Sequence, residues 1–363
     1  MGVTASLINR TPFAAQHCVL PNGRGGEVVL VVVKASFVVG EDGAPALAPA
    51  PVEPRLCDEF RGDPKRGWPR WDSDLALFKP RMDVVVEAMA YAPPGRVVEQ
   101  LVVELELGSQ LRKRLQVTGD RLWDGEQPGA PTPFSIMPLG WERAYGGTRT
   151  PTQVDERNPV GIGYERARSS DPEVGSELPN VEDPSAALTH PSGRSAPAGL
   201  ATIGRAWLPR RSLAGTFDDA WKRRRWPLAP RDFDPAFNQS APIDQQLDHP
   251  IGGDPIGGEV VRLVNLTPEG EWCFRLPTLD VPVHLVYEDR LERAELRVDT
   301  VEIEAERRTV ILTGRFTIAM EPRRKPLAQI VLGHVAPAWI KAKRAGKCHV
   351  DLRAQAELPR CFF

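Results

Sequence analysis

The sequence lacks any long apolar segment. Its longest uninterrupted apolar run covers residues 28–33, whereas a membrane-spanning helix needs about 20 apolar residues. The first residues also lack the basic start and the apolar stretch of a secretory signal. We therefore predict a protein that has no membrane partner and stays in the cytoplasm.

Metal-binding patterns are missing as well. The five cysteines are scattered, and the six histidines form no closely spaced pair, although paired ligands on one element are typical of metal sites. An odd number of scattered cysteines is typical of free thiols in a reducing compartment. The sequence therefore predicts neither a metal site nor a cofactor.

No complete catalytic motif is present. No serine lies in a Gly-x-Ser-x-Gly turn, no phosphate-binding loop occurs, and Gly161-Ile162-Gly163 has no third glycine after it.

Charge of one sign is not in excess either, because 46 basic residues against 48 acidic ones leave a formal charge of −2. No overall field attracts nucleic acid, so we expect no nucleic-acid partner.

Strand-forming sequence occurs in two blocks, at residues 27–118 and 259–318. The first block opens with Glu27–Val39, which is rich in β-branched residues. Neither block contains helices long enough for parallel crossovers. We therefore predict a mainly β fold, an antiparallel β-sandwich or open barrel of about ten strands with few short helices.

Turn sequences divide these blocks into individual strands. Residues 83–91 and 96–107 flank the turn sequence APPG and are predicted to form a hairpin. In the second block, residues 294–298 and 301–304 are interpreted as separate strands of an antiparallel meander.

Between the blocks lies the central region, residues 119–258, which has little periodicity. It contains many short motifs rich in Arg, Asp, Trp, Pro and Gly, which we call phrases. Its phrases are GDRLW at 119–123, PLGWERAYGG at 138–147, RNPVGIG at 157–163 and LPNVEDP at 178–184. Proline, with 36 residues in the chain, is excluded from helix interiors and central strands. We predict an ordered, loop-rich insertion with one short helix at 216–224, capped by Thr216.

Acidic residues of the central region are the remaining catalytic candidates. A glycoside hydrolase needs two carboxylates in one cleft, and Glu142, Glu182 and Asp183 are available for such a role. Many acids have an arginine beside them, as in Asp120-Arg121, Glu142-Arg143 and Arg231-Asp232, which favours bidentate ties between loops. A basic stretch at 210–225, with Trp221 and Trp226 nearby, leaves nucleic-acid binding as a further alternative.

Taken together, the phrases resemble the family known as domain of unknown function 2169 (DUF2169), whose members accompany bacterial type VI secretion systems. The resemblance rests on the four phrases of the central region and on further motifs at 9–13 (NRTPF), 73–80 (SDLALFKP), 133–134 (PF), 137–139 (MPL) and 230–234 (PRDFD). It runs from about Asn9 to Ile318, so we expect one domain over residues 1–320. Residues 321–363 are expected to form a basic, partly helical appendage, with its helix inside 327–343.

The resemblance implies a non-enzymatic adaptor or co-chaperone that helps load a toxic effector onto the secretion spike. Its expected partners are the spike protein VgrG, the PAAR-repeat tip and the cognate effector. The family offers no agreed catalytic residues. We therefore interpret a set of central residues as an interaction surface or as braces between loops: Trp123, Arg143, Tyr145, Arg157, Asn158, Glu182, Asp183 and Trp207.

Overall fold

The computed structural model describes residues 5–64, 67–164, 176–249, 257–320 and 325–347. Strands dominate these ranges, and the helices in them are few and short. The prediction of a mainly β fold is therefore confirmed. Within the same ranges, no helix has both the length and the apolar character that crossing a membrane requires.

The strands follow one another closely along the chain. In order they are β1 (Ser6–Asn9), β2 (Ala14–Pro21), β3 (Glu27–Val39), β4 (Pro45–Leu47), β5 (Glu59–Arg61), β6 (Trp68–Trp71), β7 (Met82–Glu87), β8 (Met89–Tyr91), β9 (Gln100–Leu107), β10 (Leu111–Thr118), β11 (Trp123–Asp124), β12 (Gln127–Pro128), β13 (Ile136–Pro138), β14 (Tyr145–Gly146), β15 (Thr148–Thr150), β16 (Gln153–Val154), β17 (Ile162–Gly163), β18 (Val181–Glu182), β19 (Gln246–Leu247), β20 (Val260–Val264), β21 (Glu271–Arg275), β22 (Val283–Tyr287), β23 (Leu291–Ala294), β24 (Arg297–Glu304), β25 (Thr309–Ala319) and β26 (Leu327–Leu332). The helices are α1 (Asp219–Arg224) and α2 (Pro337–Arg344), and short 3-10 turns occur at Trp141–Arg143, Arg210–Ala214, Pro235–Asn238 and Ile243–Gln245.

Three sheets hold the longer strands. The large sheet has the order β19-β7-β24-β25-β3-β2, with β4 also paired to β3. The middle sheet has the order β18-β10-β9-β20-β21, and the small sheet β1-β26-β22-β23. The pairings recorded for the described strands do not close any of these sheets into a barrel.

One apolar cluster joins the three sheets. Val31 and Val33 of the large sheet, Leu105 of the middle sheet and Ile330 of the small sheet all belong to it. Each such buried side chain contributes about 1.5–3 kcal/mol relative to an exposed one. Because side chains alternate along a strand, the residues between these valines point to the opposite face of the large sheet.

Strand pairing differs from the sequence prediction in two places. The hairpin predicted from residues 83–91 and 96–107 is wrong, because β7 pairs with β24 in parallel while β9 pairs with β10 and β20. Residues 294–298 and 301–304 are not two strands either, since β24 runs unbroken through most of them and pairs with β25. The turn sequence APPG instead lets the chain leave the large sheet for the middle one.

The helix expected inside residues 327–343 is only partly present. Residues 327–332 form β26, which lies between β1 and β22 in the small sheet, and the helix α2 begins at Pro337. Gly333, at a φ of 94°, separates the two elements, because a positive φ is readily adopted by glycine and ends a regular strand. Residues 321–324 and 348–363 of the expected appendage lie outside the described ranges.

Candidate functional site

Polar side chains connect the phrases of the central region to one another. Arg143 Nη1 lies 2.8 Å from Asp120 Oδ1 and donates to Asn180 Oδ1 at 3.0 Å. The Asn180 amide donates in turn to Asp120 Oδ1 at 2.9 Å and to the Thr118 carbonyl oxygen at 3.0 Å. One polar cluster thus holds three segments that are distant in sequence.

A second tie is buried beside the first. Arg121 Nη2 lies 2.7 Å from Glu182 Oε2, and the Leu188 backbone N–H donates to Glu182 Oε1 at 2.7 Å. Burial raises the pKa of Glu182, although the Leu188 N–H and the Arg121 guanidinium oppose that shift. Glu182 therefore has both oxygens engaged inside the fold.

The first two residues of the phrase at 157–163 both anchor it to neighbouring segments. Arg157 forms a bidentate pair with Asp155, at 2.9 Å from Nε and 2.6 Å from Nη2, and donates to the Ser195 carbonyl oxygen at 2.9 Å. The buried Asn158 donates from Nδ2 to the carbonyl oxygens of Trp141 at 2.8 Å and Tyr145 at 3.0 Å. Buried carbonyl groups need such donors.

Aromatic side chains fill the space under these loops. Trp141 and Trp207 meet edge to face with ring centroids 6.0 Å apart, and Trp141 Nε1 donates to the Thr202 carbonyl oxygen at 2.8 Å. Trp123 and Tyr145 belong to a separate buried apolar cluster. Offset and edge-to-face arrangements of this kind stabilise irregular backbone without regular hydrogen bonding.

The arginine ties do not follow the neighbour pairs suggested by the sequence. Arg121 contacts Glu182 and not Asp120, while Asp120 is paired with Arg143. Asp232 accepts hydrogen bonds from the backbone N–H and hydroxyl of Thr216 at 3.1 and 2.7 Å. The expected arginine ties therefore occur. Those of Arg121 and Arg143 run between phrases, whereas the pair of Arg157 and Asp155 is local.

Most residues predicted for the central surface lie in the interior. Trp123, Tyr145, Asn158, Glu182 and Trp207 are buried. Arg143 is partly exposed, Arg157 is exposed, and Asp183 is exposed with its Oδ1 accepting from the Ser185 N–H and hydroxyl. The structure distributes these residues over several ties and clusters.

Exposed aromatic residues occur elsewhere in the central region, on residues 216–229, which we call the aromatic-basic segment. Phe217 is 59% exposed and Trp226 is 68% exposed. Between them, Trp221 packs edge-on against Phe217 at 4.8 Å, and its Nε1 donates to the Leu228 carbonyl oxygen at 2.9 Å. Asp218, not Thr216, caps α1 by accepting from the Trp221 N–H at 2.7 Å.

The same segment carries the basic run. Lys222, Arg223 and Arg224 are exposed. Arg225 donates to the Ala229 carbonyl oxygen at 2.8 Å and also bonds the Gly23 carbonyl oxygen. Its own hydrogen bonds therefore give the segment a fixed shape, with two large aromatic faces and three cations directed to solvent.

Other basic residues of the stretch 210–225 serve the interior. Arg210 is buried and forms a bidentate pair with Asp72, at 2.8 and 3.3 Å. Arg211 Nη2 lies 2.7 Å from Glu156 Oε1. These ties reduce the number of cations available to a phosphate backbone, which weighs against nucleic-acid binding.

The three candidate catalytic acids lie in different surroundings. Glu182 is buried against Arg121, whereas Glu142 and Asp183 are exposed and have no arginine partner among the described residues. A cleft of about 830 Å³ is lined by β22–β25, α2 and neighbouring loops, and none of the three acids lines it. Of the three, Glu182 has both oxygens engaged, by Arg121 and by the Leu188 N–H.

Sequence reasoning missed a set of buried charges on the large sheet. Lys34, Thr313, Thr300 and Asp83 lie opposite one another in register across β3, β25, β24 and β7. They form a polar row on the face that points away from the apolar core. The sequence does contain one sign of this polar face, since Lys34 directly follows the longest apolar run.

Ion pairs connect this polar face to the loops that cover it. Lys34 Nζ lies 3.0 Å from Asp74 Oδ2 and 3.5 Å from Glu302 Oε1. Arg55 Nη1 donates to both oxygens of Glu302, at 2.7 and 2.8 Å. All four side chains are buried, and buried charges require such partners.

Asp83 anchors the end of the central region to the sheet. Lys79 Nζ donates to Asp83 Oδ2 at 2.7 Å and to Thr300 Oγ1 at 2.9 Å. Gln239 Nε2 donates to Asp83 Oδ1 at 2.7 Å, and the Ser240 N–H to Oδ2 at 2.8 Å. Burial acts to raise the pKa of Asp83, but Lys79 and these hydrogen bonds outweigh it and hold the pKa below its ordinary value.

Gly146 provides a test of how tightly the phrases fit together. It has a φ of 148°, and a Cβ at this position would lie 2.2 Å from the Asn158 carbonyl oxygen. Gly146→Ala should lower the free energy of unfolding by about 3 kcal/mol, as expected for overpacking combined with backbone strain. The measurement is urea unfolding followed by tryptophan fluorescence.

Gly95→Ala is the matched control for this substitution. Gly95 also has a positive φ, of 72°, but a Cβ there meets no atom within 4 Å. The backbone strain alone should cost about 1 kcal/mol. Equal losses in the two variants would show that the contact between the phrases around Gly146 and Asn158 is not tight.

Comparison with known proteins identifies one family. A family model described as "Uncharacterized protein conserved in bacteria (DUF2169)" matches residues 24–315. No curated protein and no solved structure matches the chain. The matched residues include the central region and nearly all strands of the large and middle sheets.

Proposed function

The chain belongs to the DUF2169 family, and we propose that it is a non-enzymatic, cytoplasmic adaptor or co-chaperone that helps load a toxic effector onto the type VI secretion spike. Its partners in this proposal are the spike protein VgrG, the PAAR-repeat tip and the effector. The mechanism is recognition: a rigid surface binds the client and shields it until transfer.

The aromatic-basic segment is the observation that carries this proposal. Phe217 and Trp226 expose large apolar faces, and exposed aromatic residues beside arginines are typical anchors of protein interfaces. Because the segment is held in one shape by its own hydrogen bonds, binding orders little additional backbone. The surface fits a partner with an apolar pocket and an acidic rim, since the exposed Lys222, Arg223 and Arg224 lie between Phe217 and Trp226 in the chain.

Charge placement in the central region also supports recognition over catalysis. The acids that sequence reasoning considered for hydrolysis are either engaged in ties, as Glu182 is, or isolated on the surface, as Glu142 and Asp183 are. Within the described residues, no group of His, Cys, Asp and Glu side chains is suited to hold a metal ion. A carbohydrate-active hydrolase therefore has no specific observation in its favour.

Size-exclusion chromatography tests the proposed function. The purified protein is mixed with the spike, the tip and the effector encoded beside it, and co-elution with at least one of them is expected. Elution apart from all three would contradict the proposal. Release of sugar from cell-wall fragments, lost in Glu142→Gln, would support the hydrolase alternative instead.

A further inference from the structure

The cleft of about 830 Å³ lies between the large and small sheets. β24 and β25 line it from the large sheet, β22 and β23 from the small sheet, and Ile340 of α2 also contributes. Neither the bracing ties of the central region nor the aromatic-basic segment takes part in it. The cleft therefore needs an explanation of its own.

Two imidazole groups on its lining have a nitrogen atom with no hydrogen-bond partner among the described residues. His284 is only 3% exposed, and its Nδ1 is buried with no hydrogen bond. His249 is engaged in a backbone hydrogen bond with Arg81, while its Nε2 is buried and unpaired. Since buried polar atoms are nearly always hydrogen-bonded in native proteins, these nitrogens are candidates for contact with a bound molecule.

Burial favours the neutral form of both rings. Burial, followed by the charge of Arg297, lowers the pKa of His249 to about 4. Burial, followed by Arg293 and His334, lowers the pKa of His284 below its ordinary value. A neutral imidazole has one N–H donor and one acceptor. His249 uses its N–H on the Arg81 backbone, so its Nε2 is an acceptor, whereas His284 is able to donate a hydrogen bond to an anion.

The rim of the cleft carries cations that lack carboxylate partners. Arg293 and Arg297 are exposed, and neither forms an ion pair with any described residue. Arg297 instead lies over the Phe78 ring at 5.7 Å. An unpaired guanidinium fork fits a planar carboxylate.

Other charged groups lining the cleft are accounted for. Arg315 is paired with Asp299, with Nε 2.7 Å from Oδ2, and Lys79 is paired with Asp83. The remaining acids, Asp280 and Glu295, are exposed. Much of the lining between these groups is apolar, including Leu279, Val281, Leu296, Phe316 and Ile340.

We propose that this cleft binds a carboxylate carried on an apolar body. Arg293 and Arg297 would pair with the carboxylate, the His284 imidazole would donate to it or to its neighbouring polar atoms, and the apolar lining would contact the body. His249 Nε2 would accept from a donor of the ligand where the ligand has one. A free apolar acid and the carboxyl end of a peptide share this chemistry. The site is independent of the adaptor function.

Isothermal titration of the full chain tests the site with three probes: octanoate, N-acetyl-leucyl-phenylalanine and the amide of that dipeptide. Both acids should bind, and the amide about 10-fold more weakly than the dipeptide acid, because a charged pair is lost. Tighter binding of octanoate identifies a free acid as the preferred source. Tighter binding of the dipeptide acid identifies a peptide end.

Arginine variants localise the binding. Arg293→Gln and Arg297→Gln should each weaken the binding of both acids about 10-fold. Arg24→Gln, at an exposed position away from the cleft, should bind both acids as tightly as the unmodified protein does. The imidazole proton signals of His249 and His284 should also shift on titration. The proposal is overturned by equal affinity for acid and amide, by unweakened binding in both arginine variants, or by no saturable binding up to about 1 mM.

Discussion

Asp83→Ala should lower the free energy of unfolding by about 3–5 kcal/mol, the range for breaking a buried ion pair. The substitution leaves the Lys79 ammonium buried without its carboxylate. It also removes the acceptor of Gln239 and Ser240, which fixes the end of the central region to β7. Thermal and urea unfolding at neutral pH measure the loss.

The same variant should change how stability depends on pH. The folded pKa of Asp83 lies below the unfolded value, because Lys79 and hydrogen bonds outweigh the opposing effect of burial. Its contribution is therefore complete above the unfolded pKa, about 3.9, and is lost as the pH falls through the folded pKa. Acid should destabilise the unmodified protein more steeply than Asp83→Ala.

Asp248→Ala is the matched control for Asp83→Ala. Asp248 also forms an ion pair, with Arg81 at 2.9 Å, but its side chain is 81% exposed. Exposed pairs contribute little to stability, so a change within about 0.5 kcal/mol is expected. If Asp83→Ala unfolds no more easily than Asp248→Ala, the polar face of the large sheet does not hold the covering loops.

Trp207→Ala should cost about 3–5 kcal/mol of stability, as large-to-small substitutions of buried aromatic residues do. Trp207 packs edge-on against Trp141 and lies against Gly204. Its removal opens a cavity under loops that have few regular backbone hydrogen bonds. Limited proteolysis should then cut between residues 195 and 215 sooner than in the unmodified protein.

Trp226→Ala, the same substitution in the same region, should leave stability unchanged. The Trp226 side chain is mostly exposed, so no cavity forms when it is removed. Differential scanning calorimetry on Trp207→Ala and Trp226→Ala distinguishes a tryptophan that supports the loops from one that lies on the surface. Equal loss of stability in both would mean that the aromatic-basic segment is part of the core.

Local patterns sufficed for most of the fold. Glu27–Val39 was predicted with its observed bounds, because β-branched residues and a following glycine are local signals. The pairing of β7 with β24 could not be predicted in this way, since parallel neighbours are chosen by packing between distant segments. The strand β26 was missed for a related reason, since its place between β1 and β22 depends on both neighbours.

Less of the candidate site than of the fold could be predicted from the sequence. Arginine ties were expected, but Arg121 pairs with Glu182 and Arg143 with Asp120 instead of with their neighbours in sequence, because these partners are brought together by the folding of distant segments. Trp226 was noted only as a residue near a basic run. The exposure of the Trp226 side chain depends on where Trp221 and the following turn place it. No local sequence pattern predicts that position.

The affinity of the double variant Phe217→Ala, Trp226→Ala for the co-eluting partner tests the central claim most directly. The claim is that buried ties shape the central region while the aromatic-basic segment makes the contact. We expect the unfolding temperature to stay the same and the affinity to fall about 30-fold or more, as for loss of an aromatic hot spot. Binding as tight as that of the unmodified protein would contradict the claim.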